Sequence, residues 1–581
     1  MLLKSLILLL SLLILPTSSA KEFSEHAKLF LVGGGLKTCS SMSVNQCLST
    51  KLIESDDKSQ ALYQISKESI DLLFQYWPSD HLERQKKALK PLLEKMRQAN
   101  KGVLNKSQLR RLWIDNGGKK LINQLADREY YLMLDALELG LVNDKDFRRS
   151  ERVSLANTKN QFSREIFESF TQLAGLKAAA KGKKAPDILV VTASARDPFE
   201  AVDFYVDVFS QAGAAVTWLP IDAGLNALWQ ERGQAANICH YLEQYQADKL
   251  GTIKRKFVYP DHFLTQQQWC QSPQRFINAI QQADGLFING GDQSLTLQAF
   301  KNKDGSDNAL LAAIRKQVDS NQLVIGGTSA GTAVMSGGIY DNKPIPMITN
   351  GRSAAALVRG AKADVLPSAG CQKDNQCGDV LNEDLTFNSQ GGLGLFTWGI
   401  MDTHFSERGR QGRLVRLLED TETRFAFGVD EATALVVAWQ QMDTITMQVV
   451  GQTGVYIVEQ GTGENKGKTL THFPTRDDVI KLQHGQLSFT FADWKSPVVE
   501  KSLTQNFADI FEGENYLVAV DALCRASAQK QKLVSHYNES EIQISLLKGK
   551  NWHNGVGKFS TPSGEKSYCS YQNVSFYYQV N

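Results

Sequence analysis

Hydrophobic positions along this chain change period several times. Leu6 to Leu15 is an apolar stretch broken only by Ser11. Lys28 to Val32 is a short apolar run followed at once by Gly33-Gly34-Gly35, the pattern of a buried strand that ends in a glycine turn. Apolar residues then recur at steps of three and four: Ile65, Leu72, Leu73, Tyr76; Leu89, Leu92, Leu93, Met96; Tyr130, Met133, Leu134, Leu137. That spacing predicts amphipathic helices. We read residues 53–183 as a helical insertion between the first strand of a domain, within 21–52, and the remainder of it, 184–460.

In that remainder the pattern alternates. Ile188–Val191, Ala215–Leu219, Leu286–Ile288, Leu323–Ile325, Leu395–Met401 and Phe425–Val429 are continuous apolar runs of strand length. Helical patterns separate them, for instance Phe199–Ala212 with Gly213 behind it. This predicts an α/β fold, a parallel sheet covered by helices on both faces. Sites in such folds form at the carboxyl ends of the strands. Beyond Val437 the rhythm becomes hairpin-like, at Met447–Val450, Gly454–Val458 and Leu487–Phe491, and residues 461–581 read as a β-rich C-terminal extension to which the sequence assigns no role.

Composition narrows the classes. At 581 residues the chain is too long for one small domain. With 42% hydrophobic and 22% charged residues it is neither disordered nor fibrous. The balance of 64 Lys+Arg against 62 Asp+Glu excludes a dedicated nucleic-acid binder, which would carry a basic excess. Glu83–Arg111 departs locally, with ten basic residues and two acidic ones; this is a solvated helix face or a patch for polyanions. Lys4, the apolar run, Pro16 and Ser18-Ser19-Ala20 form a secretory signal over 1–20. It is too short to span a bilayer, which needs about 20 apolar residues. The expectation is a periplasmic or extracellular protein with no stable membrane span after cleavage. The eight cysteines agree with export, and pairing of sequence neighbours (Cys39–Cys47, Cys239–Cys270, Cys371–Cys377, Cys524–Cys569) keeps each bridge within one unit. A structural zinc is the rival, but the chain has no C-x-x-C pair and no H-E-x-x-H.

The strongest chemical signal is Gly327-Thr328-Ser329-Ala330-Gly331, a G-x-S-x-G directly after a strand and before a helix. A sharp strand–turn–helix pushes a serine out at the top of the sheet and frees the Ala330 N–H for an oxyanion. A seryl hydroxyl needs a base. Of nine histidines only His404 follows a convincing strand, and Asp430-Glu431 ends the next one with two carboxylates, either of which could orient the base. Gly290-Gly291-Asp292-Gln293 ends the strand before the serine strand, so Gly291 or Asp292 could supply a second oxyanion N–H. Arg408, Arg410 and Arg413 follow His404 closely, and the planar fork of arginine suits carboxylates.

These pieces, in this order, resemble the cyanophycinase family of serine peptidases, relatives of peptidase E. The matching motifs are G-G-D-Q at 290–293, G-T-S-A-G at 327–331, D-T-H-F-S-E-R-G-R-Q-G-R-L at 402–414 and G-V-D-E-A-T-A at 428–434, with the glycines after Lys28–Val32 matching the family's first strand. The resemblance implies a flavodoxin-like or class I glutamine-amidotransferase-like parallel sheet and, in many members, a homodimer. It implies Ser329 as nucleophile, His404 as base and Glu431 as acid. Gln293, Asp402, Thr403, Arg408, Arg410 and Arg413 match positions that line the substrate groove. The implied substrate is cyanophycin, a poly-aspartate backbone carrying arginines on its side-chain carboxyls, cut to β-aspartyl-arginine through an acyl-enzyme without metal or organic cofactor. Where the family commonly has Gln before the histidine, this chain has Thr403, and the helical insertion and C-terminal extension have no counterpart in compact members. Aspartyl or isoaspartyl peptides cut by the same triad, and a non-catalytic envelope protein that binds polymer, are the alternatives.

Overall fold

The structure, a computed structural model, describes residues 18–49, 54, 56–77, 83–125, 127–233, 237–365, 379–498, 500, 507–561 and 564–581. The expected signal segment lies largely outside these residues, and so does the expected Cys371–Cys377 pair.

The fold is α/β, with two large sheets. In the first, of nine strands, Ala27–Val32, Val324–Thr328, Gly285–Ile288, Asp187–Val191 and Ala215–Trp218 lie side by side and parallel. On the other edge of Ala27–Val32 the sheet continues antiparallel through Thr433–Gln441, Thr444–Gly451, Val479–Gln483 and Gln486–Thr490. The continuous apolar runs follow from burial on both faces. Leu29, Leu31, Ile288 and Ile325 point into one core, Phe30, Ile188, Phe287 and Val324 into the other.

The single parallel sheet expected from the sequence is divided. Ile400–Thr403 and Phe425–Val429, which lead to His404 and Glu431, pair in parallel in a second, seven-stranded sheet that is otherwise antiparallel and runs on through Val455–Gln460, Thr469–Phe473, Gly564–Val580, Ser540–Thr561 and Lys530–Tyr537. The chain passes between sheets at Asp430–Ala432, where Ala432 takes a positive φ of 49°, before Thr433 joins the first sheet. The apolar run Leu395–Met401 is strand only from Ile400, because the Leu395 and Phe396 N–H groups bond instead to the Met335 carbonyl. The last 120 or so residues of the chain supply strands to both sheets, so the C-terminal extension is built into the fold.

Within 53–183, helices Lys67–Gln75, Glu83–Ala99, Lys106–Asp115 and Asp127–Leu137 enclose a core of their own around Leu73, Leu93, Met96, Trp113, Met133 and Leu137. Two of these helices start on reciprocal capping boxes, Ser66 with Ser69 and Asn105 with Gln108, which satisfy N–H groups the helix leaves free. Helix Gln161–Ala180 behaves differently. Its Phe167, Phe170 and Ala174 pack on the central sheet, and Gly326 makes room for Phe170, since a Cβ there would lie 2.7 Å from the ring. Buried Arg255 ties the helical unit to the sheet by bonding Glu138 at 2.8 Å and Asp197 at 2.7 Å. Among the described residues no helix is long and apolar enough to cross a membrane.

Three of the expected disulfides are formed: Cys39–Cys47, Cys239–Cys270 and Cys524–Cys569. The last joins helix Asn515–Arg525 to strand Gly564–Val580. Replacing Cys524 and Cys569 by Ser is expected to cost about 2–5 kcal/mol, by analogy with small secreted domains. A fall in thermal transition that reductant reproduces in the unmutated protein would bear this out; a transition insensitive to both would contradict it.

Candidate active site

Strand Val324–Thr328 delivers Ser329 to a tight turn. Ser329 has φ 54°, a conformation costly for a residue with a side chain, and the short helix Ala330–Ala333 begins at once. The turn closes because its neighbours lack side chains. A Cβ on Gly327 would lie 2.2 Å from the Gly331 carbonyl oxygen, and one on Gly331 2.4 Å from that of Ile288. Thr332 Oγ1 donates to one and approaches both of the Gly327 and Val32 carbonyls, at 2.7 and 2.8 Å, and the Ser329 N–H donates to Val32 O at 3.1 Å.

His404 follows Ile400–Thr403, also with a positive φ, of 46°, and its N–H donates to the Gly33 carbonyl at 2.7 Å. The glycine turn after the first strand thus joins the two sheets. Gly33 N–H donates to Thr433 O at 3.0 Å, and the Gly34 carbonyl accepts from Ala432 N–H at 2.8 Å. The side chains of three separated segments then meet in a line. His404 Nε2 lies 2.8 Å from Ser329 Oγ, and His404 Nδ1 lies 2.7 Å from Glu431 Oε1. The neutral imidazole that fits this line carries its proton on Nδ1, donated to the carboxylate, and turns its Nε2 lone pair to the hydroxyl. Of the two candidate acids, Glu431 makes this contact. Asp430 is fully buried and accepts the Ser406 N–H at 2.9 Å, holding the chain between histidine and acid.

The electrostatics suit a base that is neutral at rest. Burial lowers the His404 pKa below the ordinary histidine value, with the Arg408 and Arg410 charges adding to it and the Glu431 hydrogen bond opposing. The hydrogen bond from His404 holds Glu431 below the usual carboxylate range. A base must be deprotonated to take the seryl proton, so the acid limb of kcat/KM reports its free-enzyme pKa. We expect that limb below about pH 6.5, the unperturbed histidine value. Arg408→Ala removes a cation that disfavours the imidazolium, so it should move the limb to higher pH. A limb above that value, or a shift downward in Arg408→Ala, would contradict the assignment; hydrolysis of an uncharged ester across pH measures both.

The two glycines of G-G-D-Q approach the serine side, as expected. A Cβ on Gly290 would lie 3.2 Å from Ser329 Cβ, and Gly291 abuts Ser194, whose carbonyl oxygen would be 2.1 Å from a Cβ there. Among the described residues the Ala330 and Gly291 N–H groups have no acceptor and so are available to an oxyanion. The Asp292 N–H, expected as an alternative, is committed to Ser194 O at 2.7 Å, and the Asp292 carboxylate caps helix Gln293–Phe300 through Ser294 N–H. Gln293 spends its amide on the Ile348 and Thr349 carbonyls.

The arginines divide. Arg413 is buried and binds Asp402 at 2.8 and 2.6 Å and the Gly351 carbonyl at 2.6 Å. Asp402, itself 1% exposed, is consumed by that contact and by Arg410 at 3.2 Å, while buried Thr403 accepts Arg410 through its carbonyl at 2.5 Å. Asp402 and Thr403 are therefore buried beneath the loop, while Arg413, though paired with Asp402, lines the cavity beside it. Burial pulls the Arg410 guanidinium down to about 9, which leaves it charged at neutral pH. Exposed Arg408 has no ion-pair partner among the described residues. Sequence reasoning missed Glu407, whose carboxyl accepts the Glu431 N–H at 3.0 Å; burial raises its pKa to about 7. Glu407 stands inside the motif that carried the family resemblance, yet nothing in its spacing indicated a contact with residue 431.

Residues 264–445, which hold all three members of the line, match the model of peptidase family S51. The cyanophycinase of Trichormus variabilis is 29% identical over 199 residues, 34% of this chain and 51% of that protein. The cyanophycinase of Geminocystis herdmanii is 29% identical over 205 residues, 35% and 60% of the respective chains. The chain thus spans little more than half the length of these relatives. A solved peptidase from an acI-B1 Actinobacterium aligns with a TM-score of 0.29 at 17% identity, over 56% of this chain and 90% of that one. Residues 264–445 are thus similar to peptidase family S51, and about a third of the chain is similar to the cyanophycinases.

Proposed function

We propose that this protein is an exported serine peptidase that hydrolyses cyanophycin to β-aspartyl-arginine. The observation that carries the proposal is the unbroken line Ser329 Oγ, His404 Nε2, His404 Nδ1, Glu431 Oε1. Ser329 attacks the scissile carbonyl carbon as His404 takes its proton. Glu431 stabilises the imidazolium and keeps the ring oriented. Negative charge on the carbonyl oxygen is met by the Ala330 and Gly291 N–H groups, interactions whose individual loss typically costs about 10²–10³ in rate. His404 returns the proton to the leaving amine. Water, deprotonated by the same histidine, then cleaves the ester at Ser329 and regenerates the hydroxyl.

The match to cyanophycinases supports the substrate, as does unpaired Arg408 beside the line, a group suited to a carboxylate. Export is supported by the charged and apolar N-terminal pattern and by the three disulfides, which persist in oxidising compartments. Incubation with cyanophycin and mass analysis of the products tests the reading. Accumulation of β-aspartyl-arginine is the expected result. Cleavage confined to short aspartyl or isoaspartyl peptides would replace the substrate and keep the chemistry.

A further inference from the structure

The C-terminal extension reaches the loop that carries the base. Gly409 follows Arg408 with φ 55°, and a Cβ on it would lie 2.1 Å from the Phe511 carbonyl oxygen. A Cβ on Gly412 would lie 2.9 Å from the Phe511 ring. Segment 509–513 is therefore seated directly on the loop after His404, at contacts only glycine permits. Between them lies a cavity of about 670 Å³, walled by Arg408–Arg410 and Arg413, by 350–355 with Glu383, and by Asp509 and Phe511–Gly513 with His536 and Tyr537. That volume is in the range of small-molecule sites, roughly 300–1,000 Å³.

The charges around this cavity are of two kinds. Some are spent. Arg410 and Arg413 are bound to Asp402, and Asp509 accepts the Phe511 N–H at 2.9 Å and the Ser535 hydroxyl at 2.7 Å. Others are unspent. Arg352 and Arg408 are exposed cations with no ion-pair partner among the described residues, and the Glu383 and Glu512 carboxylates likewise have none. A cavity that presents both signs without neutralising them internally is complementary to a ligand that carries both. Arginine pairs with carboxylate through two parallel hydrogen bonds, and a guanidinium on the ligand can do the same with a glutamate of the protein.

We propose that the C-terminal segment 509–513 completes the substrate pocket, with Glu512 and Glu383 receiving a guanidinium side group while Arg352 and Arg408 receive a carboxylate. The substrate class follows from the peptidase reading above, on which this assignment rests; the pocket wall contributed by the extension and its two acidic groups go beyond it. The extension would then set which side group is accepted, through residues far in sequence from the G-x-S-x-G turn.

Binding separates this proposal from catalysis. The full-length Ser329→Ala protein is titrated calorimetrically with β-aspartyl-arginine and with its citrulline counterpart, which keeps size and hydrogen bonding but loses the charge. Charge-assisted hydrogen bonds, roughly twice as strong as neutral ones, predict a preference for arginine of about tenfold or more. Adding Glu383→Gln and Glu512→Gln should abolish that preference and leave citrulline affinity within about twofold. Glu512→Gln alone, on an exposed segment, provides the same comparison should the double variant melt early. Equal binding of the two dipeptides, a preference that survives both substitutions, or no binding of either would each overturn the proposal. Failure of the triad would appear elsewhere, as turnover that survives Ser329→Ala, whatever the binding preference.

Discussion

Ser329→Ala should abolish hydrolysis of cyanophycin and of simple esters alike. Members of a catalytic triad act as a unit, and losing the nucleophile or base of a serine peptidase costs on the order of 10⁶ in kcat. His404→Ala should cost as much, and the double variant no more than either single one. The fold should be retained. The Ser329 hydroxyl is partly exposed, and the turn that holds it is fixed by Gly327, Gly331 and Thr332, so the stability change should stay within about 0.5 kcal/mol. Single-turnover assays alongside thermal melting would check both halves. Near-full activity in Ser329→Ala would end the serine-peptidase reading.

The second large effect is expected at a residue that carries no functional group. A Cβ on Gly34 would lie 2.4 Å from His404 Cε1 and 2.5 Å from Nε2, the atom that faces the serine, so the ring or the turn must move. Misplacement of a catalytic group by about 1 Å can cost about 10²-fold. Gly34→Ala should therefore lower kcat by about 10²-fold or more. Gly34 also sits at φ 105°, so alanine brings backbone strain, and a control must separate strain from collision. Gly213, at φ 100° after helix Val202–Gln211, supplies it, because a Cβ there meets nothing within 4 Å. Gly213→Ala should lose stability comparably and keep its activity. Equal activity losses in both variants would mean that strain alone is responsible.

Much of the site was legible in the chain because its signals are local. A glycine-flanked serine between an apolar run and a helix can form the turn seen at 327–331 almost regardless of surroundings, since the steric reasons lie within five residues. The alternating apolar runs likewise required a sheet covered on both faces, and pairing of neighbouring cysteines indicated the three bridges formed among the described residues. Local pattern could also rank the arginines. Arg413 continues helix Gln411–Thr421, and it is the member most deeply buried.

Other features depended on contacts between distant segments. The family resemblance implies Asp402 as a groove residue; the guanidinium groups that bind its carboxylate come from eight and eleven residues further on, and it is buried beneath them. Asp292 lost its role as an oxyanion donor to Ser194, almost a hundred residues earlier in the chain. The choice of Glu431 over Asp430 turned on which carboxylate the strand end directs toward the imidazole. The division into two sheets turned on the positive φ at Ala432 and on the glycine turn at 33–35, whose carbonyls join strands some 400 residues apart. Residue types and their order determined the chemistry this chain can carry. Which groups remain free to perform it was decided only by tertiary packing, because a hydrogen-bonding group already paired with a distant neighbour is no longer available to a substrate.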